Sequence, residues 1–204
     1  GPAAGPAAVQ QLLEAVKKVV EIQADVKKVI FAFFADSAEP IASREVSALQ
    51  FMQSFTWQQL WPLSDECGSS LLLLASRRGM PNVCKYLLTS DGPTPQERVS
   101  YANRSNDMGW TALTLAAQNG FHAVCEALLA ANADPNIATQ GTRLTPLMLA
   151  ASGGHLTTVR LLLDPAHSRL WVARSDPLLA TADGRTALDF VNARIRARGR
   201  LVDN

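Results

Sequence analysis

The stretch D-M-G-W-T-A-L-T-L-A-A-Q-N-G-F-H-A-V-C-E-A-L-L, residues 107–129, is echoed by T-P-L-M-L-A-A-S-G-G-H-L-T-T-V-R-L-L-L, residues 145–163. Thr111-Ala112-Leu113 falls on Thr145-Pro146-Leu147, Leu115-Ala116-Ala117 on Leu149-Ala150-Ala151, and Gly120 on Gly154, at an offset of 34 residues. Self-similarity at this period means supersecondary units that bury their apolar faces only against their neighbours. Pro146 suits the first turn of a helix, where its missing N–H has no intrahelical partner to lose. Gly120 and Gly154 suit the tight turn between paired helices, where positive φ is needed.

Working outward, Ser70–Gly79 aligns with Thr111–Gly120, and Val83–Leu88 with Val124–Leu129, now at an offset of 41. Both helices align without gaps, so the extra residues belong to the connection that holds Ser90–Pro95. A fourth start, Asp183-Gly184-Arg185-Thr186-Ala187-Leu188, stands with its Thr 41 residues beyond Thr145, and the added length again falls in the connection, residues 164–182. In this unit the place of the helix-ending Gly is taken by Ile195.

The T-P-L start, the L-A-A runs, the helix-ending Gly, the leucine-rich second helix and the exit Ala133-Asp134-Pro135-Asn136 together resemble the ankyrin repeat. The resemblance implies an all-α ankyrin-repeat solenoid of about four repeats with an N-terminal helical capping segment. Antiparallel helix pairs would stack side by side, with hairpin loops at one edge. Residues 63–193 would form the ankyrin domain (about 65–106, 107–139, 140–182 and 183–193), preceded by a two-helix cap or accessory module over 7–62 and followed by a basic tail over 194–204. Residues 1–6 read as a disordered leader, Gly1-Pro2 resembling a protease scar. The family usually places His three residues after the Thr, where it bonds neighbouring loops. Leu73, Thr114, Met148 and Asp189 stand there instead, which implies a missing ladder and a looser array.

Before the repeats, residues 7–34 read as one long helix. Val9, Leu12, Val16, Val19, Gln23, Val26, Ile30 and Phe33 form a heptad-like seam, but Leu13, Val20, Ile22, Val29 and Phe34 broaden it beyond a two-stranded coil. A helix packed into a larger body fits better than self-association. A second helix is expected over about 44–61, with Ser43 as cap, a buried stripe of Val46, Leu49, Met52 and Phe55, and Pro62 as its end. Trp57 and Trp61, one turn apart, read as a seal on the stack rather than a ligand platform.

Composition narrows the function. The chain has 204 residues, 48% hydrophobic and 18% charged, at net charge +1, so no global field favours nucleic acid or an anionic membrane. The charge is uneven: residues 1–66 are net −3 and residues 67–204 net +4. Cys67, Cys84 and Cys125 form no C-x-x-C pair, which points to a reducing compartment, the cytoplasm or alternatively the nucleus. No 18-residue apolar run suggests a membrane span. Cys84 and Cys125 share a repeat position with Val159 and read as core. His122, His155 and His167 have no nucleophile and acid partner in a triad sense, and His155 stands where the family caps a turn. No phosphate loop occurs. Catalysis, a cofactor, a metal and a small-molecule substrate are therefore not expected.

The expected function is a non-catalytic scaffold or adaptor that binds a protein or peptide through the concave face and hairpin tips. Transferred by repeat position, its contacts are Trp110, Leu144 and Arg185 before the Thr, and Arg77, Arg78, Gln118 and Asn119 before the Gly, with Arg143 adding charge. Trp and Arg are the commonest binding hot spots. The arginines favour an acidic or C-terminal-carboxylate segment. For Trp110 the alternative is packing against the long loop around Tyr101. A monomer is expected. The rival readings are self-association through the N-terminal helix, a targeting or regulatory segment of a larger enzyme, and, more weakly, nucleic-acid binding through Arg194–Arg200, which lacks an aromatic for base stacking.

Overall fold

A computed structural model describes residues 24–35, 39–163 and 175–199. The helices in it are α1 (24–32), α2 (Ile41–Met52), α3 (Trp57–Leu60), α4 (Leu71–Arg78), α5 (Pro81–Thr89), α6 (Pro95–Ala102), α7 (Ala112–Asn119), α8 (His122–Ala130), α9 (Pro146–Gly153), α10 (Leu156–Leu163) and α11 (Ala187–Gly199). α4, α7, α9 and α11 pack side by side as one layer, and α5, α8 and α10 as the other.

Each unit is built by the same local chemistry. Ser70, Thr111 and Thr145 sit in extended conformation, and their hydroxyls accept the N–H of the residue three further on, at 3.4, 3.2 and 3.3 Å. That satisfies one of the donors every helix start leaves open. Gly79, Gly120 and Gly154 end the inner helices in the left-handed region, as the sequence required. The core is one continuous cluster running from Ile30 and Phe34 through Met52, Leu72 and Leu113 to Met148 and Leu162.

The absent His leaves other ties between neighbouring repeats in place. The hairpin tips are tied by main-chain bonds, which no side chain at that position can abolish: Asp107 N–H donates to Cys67 O (3.1 Å), Gln140 N–H to Met108 O (3.3 Å) and Ala182 N–H to Thr142 O (3.2 Å). A second ladder runs along the helix C-termini. His155 Nε2–H donates to Gln118 O (3.0 Å), and Arg194 to Ser152 O (2.8 Å), one repeat further on. His155 thus reaches into the preceding repeat and does not merely cap its own turn.

The N-terminal segment departs further from the expectation. The single helix over 44–61 is two, α2 and α3, separated by residues 53–56. Ser43 lies inside α2, whose N-cap is Pro40. The buried side is Arg44, Glu45, Ala48 and Met52, while Val46 is 64% exposed and Leu49 and Phe55 are half-buried. Polar partners set this rotation. Arg44 donates to Ala35 O, and the Glu45 carboxylate accepts Asn82 N–H (2.6 Å), Val83 N–H (3.2 Å) and Asn82 Nδ2 (3.1 Å). α2 therefore docks on the start of α5. Ile30 of α1 and Phe34, two residues past its end, are buried in the stack; the seam over 7–23 lies outside the described residues.

Trp57 and Trp61 stack at 5.0 Å with rings 9° apart, and both meet Tyr101 edge-on at 6.1 and 6.3 Å. Tyr101 belongs to α6, a helix formed within the long first connection and capped reciprocally by Thr94 and Glu97. The tryptophans are a packed wedge between the N-terminal segment and this inserted helix, with Trp57 in the core. At the other end α11 runs past Ile195, where the helix-ending Gly is missing, and takes the first part of the basic tail, to Gly199, into the helix. His167 and residues 200–204 lie outside the described residues.

The fourth unit is held by carboxylates. Asp189 accepts Thr186 N–H (2.7 Å) and Thr186 O–H (2.8 Å), and Asp183 accepts from Thr181 O–H and Arg185 Nε–H. These bonds to the charged form hold both carboxyls below the usual range. A depressed folded-state pKa gives stability that is full above the unfolded value and is lost as pH falls through the folded one. Acidification from pH 6 to 2 is therefore expected to remove amide protection from α11 before α7. Glu97 is held low by Thr94 in the same way, so α6 should follow α11. Asp189→Asn should flatten the pH dependence of the α11 amides; simultaneous loss of protection in α7 and α11 would contradict this assignment.

Candidate functional site

The second hairpin sets the site. Asn106 Oδ1 accepts the N–H groups of Met108 (3.1 Å) and Trp110 (2.9 Å), the self-closing turn that short amide side chains favour. Asn106 Nδ2 donates to Ser69 Oγ (3.3 Å), fixing this hairpin to the one before it. Met108 and Trp110 are thereby held over a groove of about 190 Å³ between the first two repeats. Its apolar lining is Leu73 and Leu74 from α4 and Leu115 from α7, and Arg77 and Gln118 bring the polar groups.

Three of the residues taken from the repeat register, Arg77, Trp110 and Gln118, line this one groove. Trp110 is half-buried there, and the aromatic partners of Tyr101 are Trp57 and Trp61. The others do not join them. Arg78 Nε donates to Phe34 O at 2.8 Å, anchoring the chain just after α1. Asn119 Nδ2 donates to Leu115 O of its own helix (2.9 Å). Arg143 is exposed at positive φ on the third hairpin, where Leu144 is half-buried against the core. Arg185 pairs with Asp183 at 2.7 Å and covers the Phe190 ring at 4.9 Å.

Sequence reasoning passed over Met108, which is 57% exposed, and Asn106, which aims it. The signal was present in Asn106-Asp107-Met108-Gly109-Trp110, an Asn-led turn that presents two large apolar residues on a loop.

The thiols are disposed differently. Burial pushes Cys84 and Cys125 up to about 12, so at neutral pH both are protonated core thiols. Cys67 is exposed on the first hairpin. Among the described residues no group of three or more His, Cys, Asp or Glu gathers in a metal-binding arrangement, and no helix is long and apolar enough to cross a membrane.

A three-copy ankyrin-repeat family model matches residues 42–139, and a single ankyrin-repeat model matches residues 142–169. The chain belongs to the ankyrin-repeat family. The match starts inside α2, so the later part of the segment read from the sequence as a cap, residues 42–62, lies within it. Human BCL-6 corepressor-like protein 1 is 30% identical over 161 residues, which is 76% of this chain and 8% of that protein. An ankyrin repeat-containing protein of Treponema pallidum (strain Nichols) is 34% identical over 102 residues, 50% of this chain and 32% of that protein. The chain thus spans less than a third of the length of either curated relative. Ankyrin repeats generally mediate protein–protein interaction, and the array offers a preformed surface of that kind.

Proposed function

We propose that this chain is a non-catalytic interaction module that binds a protein or peptide segment through the concave groove under Trp110. The observation that carries the reading is the convergence of Arg77, Trp110 and Gln118 on a groove whose apolar lip is fixed by Asn106. A held aromatic beside an arginine has the composition of a hot spot, and a fixed loop loses little entropy on binding. The small share of each relative that is matched suits a module carried within longer proteins, and the name of the human relative suits a corepressor-type assembly. A reducing compartment, cytoplasmic or nuclear, would keep the exposed Cys67 a free thiol.

Trp110→Ala is the test. It is expected to weaken partner capture at least tenfold, about 1.4 kcal/mol or more, because hot-spot truncations cost this much. The melting temperature should stay near that of the unaltered chain. Capture from extract by both baits alike would place binding elsewhere, and a lowered melting temperature with intact capture would make Trp110 a packing residue.

Self-association is not favoured over the described part of α1, because Ile30, and Phe34 just beyond the helix, are already buried in the stack. A monomer is the reading, and light scattering across a concentration series tests it.

A further inference from the structure

We infer that the segment held in this groove is an extended peptide carrying a side-chain carboxylate close to one large apolar side chain. This rests on the concave-face reading above and specifies its partner.

Charge decides the first element. Of the four arginines expected to make the concave side positive, Arg78 is bonded to Phe34 O, Arg185 is paired with Asp183, and Arg143 stands on the third hairpin away from the groove. Arg77 is exposed on the last turn of α4, lines the groove, and makes no ion pair among the described residues. One open guanidinium matches one carboxylate by its two-pronged fork. A polyanion would need several such cations.

The hairpin tip decides the source of that carboxylate. Chain-terminal carboxylates are typically caught by clustered main-chain N–H groups. Here the N–H groups of Met108 and Trp110 are both taken by Asn106 Oδ1. The groups left at this lip to donate to a carboxylate are side chains, so an internal Asp or Glu is the better match.

Volume and lining decide the apolar element. At about 190 Å³ the groove is below the roughly 300–1,000 Å³ of small-molecule pockets. It suits a single large side chain set among Leu73, Leu115, Met108 and Trp110. The unbranched Met108 can shift to fit Leu, Phe or Trp alike. The Gln118 side-chain amide, with two donors and an acceptor, suits the backbone of an extended chain.

The test pans a random 12-residue peptide display library against the folded full chain and its Arg77→Glu, Arg77→Gln and Trp110→Ala variants, each checked by thermal melt. The unaltered chain is expected to enrich Asp or Glu within about three residues of Leu, Phe, Trp or Met. Arg77→Glu should exchange that acidic preference for Lys or Arg. A synthetic copy of a selected peptide should bind Arg77→Gln at least tenfold more weakly. Binders that need Trp110 but keep the same composition on the Arg77→Glu bait would overturn the acidic element and leave the groove standing. A library that yields no Trp110-dependent binder would overturn the concave-face reading itself.

Discussion

Glu45→Ala is expected to lower the unfolding free energy by about 1.5–3 kcal/mol, the range for losing hydrogen bonds to a charged acceptor, one of whose donors here is buried. The reason lies at the start of α5. Its N-cap, Met80, has no capping side chain, and Pro81 has no N–H. The first open donors are Asn82 and Val83, and Glu45 takes both while its second oxygen accepts Asn82 Nδ2. Glu45 is a buried residue on another helix and Val83 is buried, so truncation strands the Val83 N–H where solvent reaches poorly, whereas Asn82 is exposed and its N–H can turn to water. It also removes a negative charge from the positive end of a helix dipole. Glu45→Gln keeps one acceptor and should lose less, about 1–2 kcal/mol, since charge-assisted bonds are roughly twice as strong as neutral ones. Urea unfolding of both variants beside Ser47→Ala, on the exposed side of α2, measures the difference. If Glu45→Ala unfolds no more easily than Ser47→Ala, the docking of α2 on α5 does not depend on this carboxylate.

The repeats were legible because their signals are local and recur: a hydroxyl before each inner helix, a glycine after the first three, leucines between. α2 was misread because its rotation is not a local matter. Val46, Leu49, Met52 and Phe55 have helical spacing, but Arg44 and Glu45 find partners at Ala35, Asn82 and Val83, and those partners choose the buried side. α6 was readable and went unread: Thr94-Pro95-Gln96-Glu97 is a capping box with Pro in the first turn.

The site was half legible for a related reason. Repeat register picked out Trp110, Arg77 and Gln118, which the fold brings to one groove, because equivalent positions face the same way. It could not separate Arg77 from Arg78, since neighbours on a helix point about 100° apart and only the surroundings decide which one meets the groove. The ladder between hairpin tips was invisible because main-chain bonds leave no residue type behind. The absent His therefore removes one set of ties between repeats and leaves the main-chain set in place.

That main-chain ladder is also where a small change should do most harm. Gly109→Ala is expected to cost about 2–4 kcal/mol, which exceeds the roughly 1–2 kcal/mol of placing an L-residue in the left-handed region alone. Gly109 has φ +76°, and a Cβ there would lie 2.5 Å from Gln140 N and 2.6 Å from Gln140 Cγ. The nitrogen belongs to the next hairpin and is the donor bonded to Met108 O, so relief requires the two tips to part. Gly141→Ala is the internal control. Its φ is +70°, and nothing lies within 4 Å of the added Cβ, so only the backbone cost applies, about 1 kcal/mol. Parallel denaturation of the two variants isolates the contact from the conformation. Since Met108 and Trp110 flank Gly109, the folded Gly109→Ala chain should also bind a groove-selected peptide more weakly, while Gly141→Ala should bind it as the unaltered chain does. Equal destabilisation by the two alanines would mean that the tips yield without resistance, and that the rigidity ascribed to the lip of the groove comes from the Asn106 turn alone.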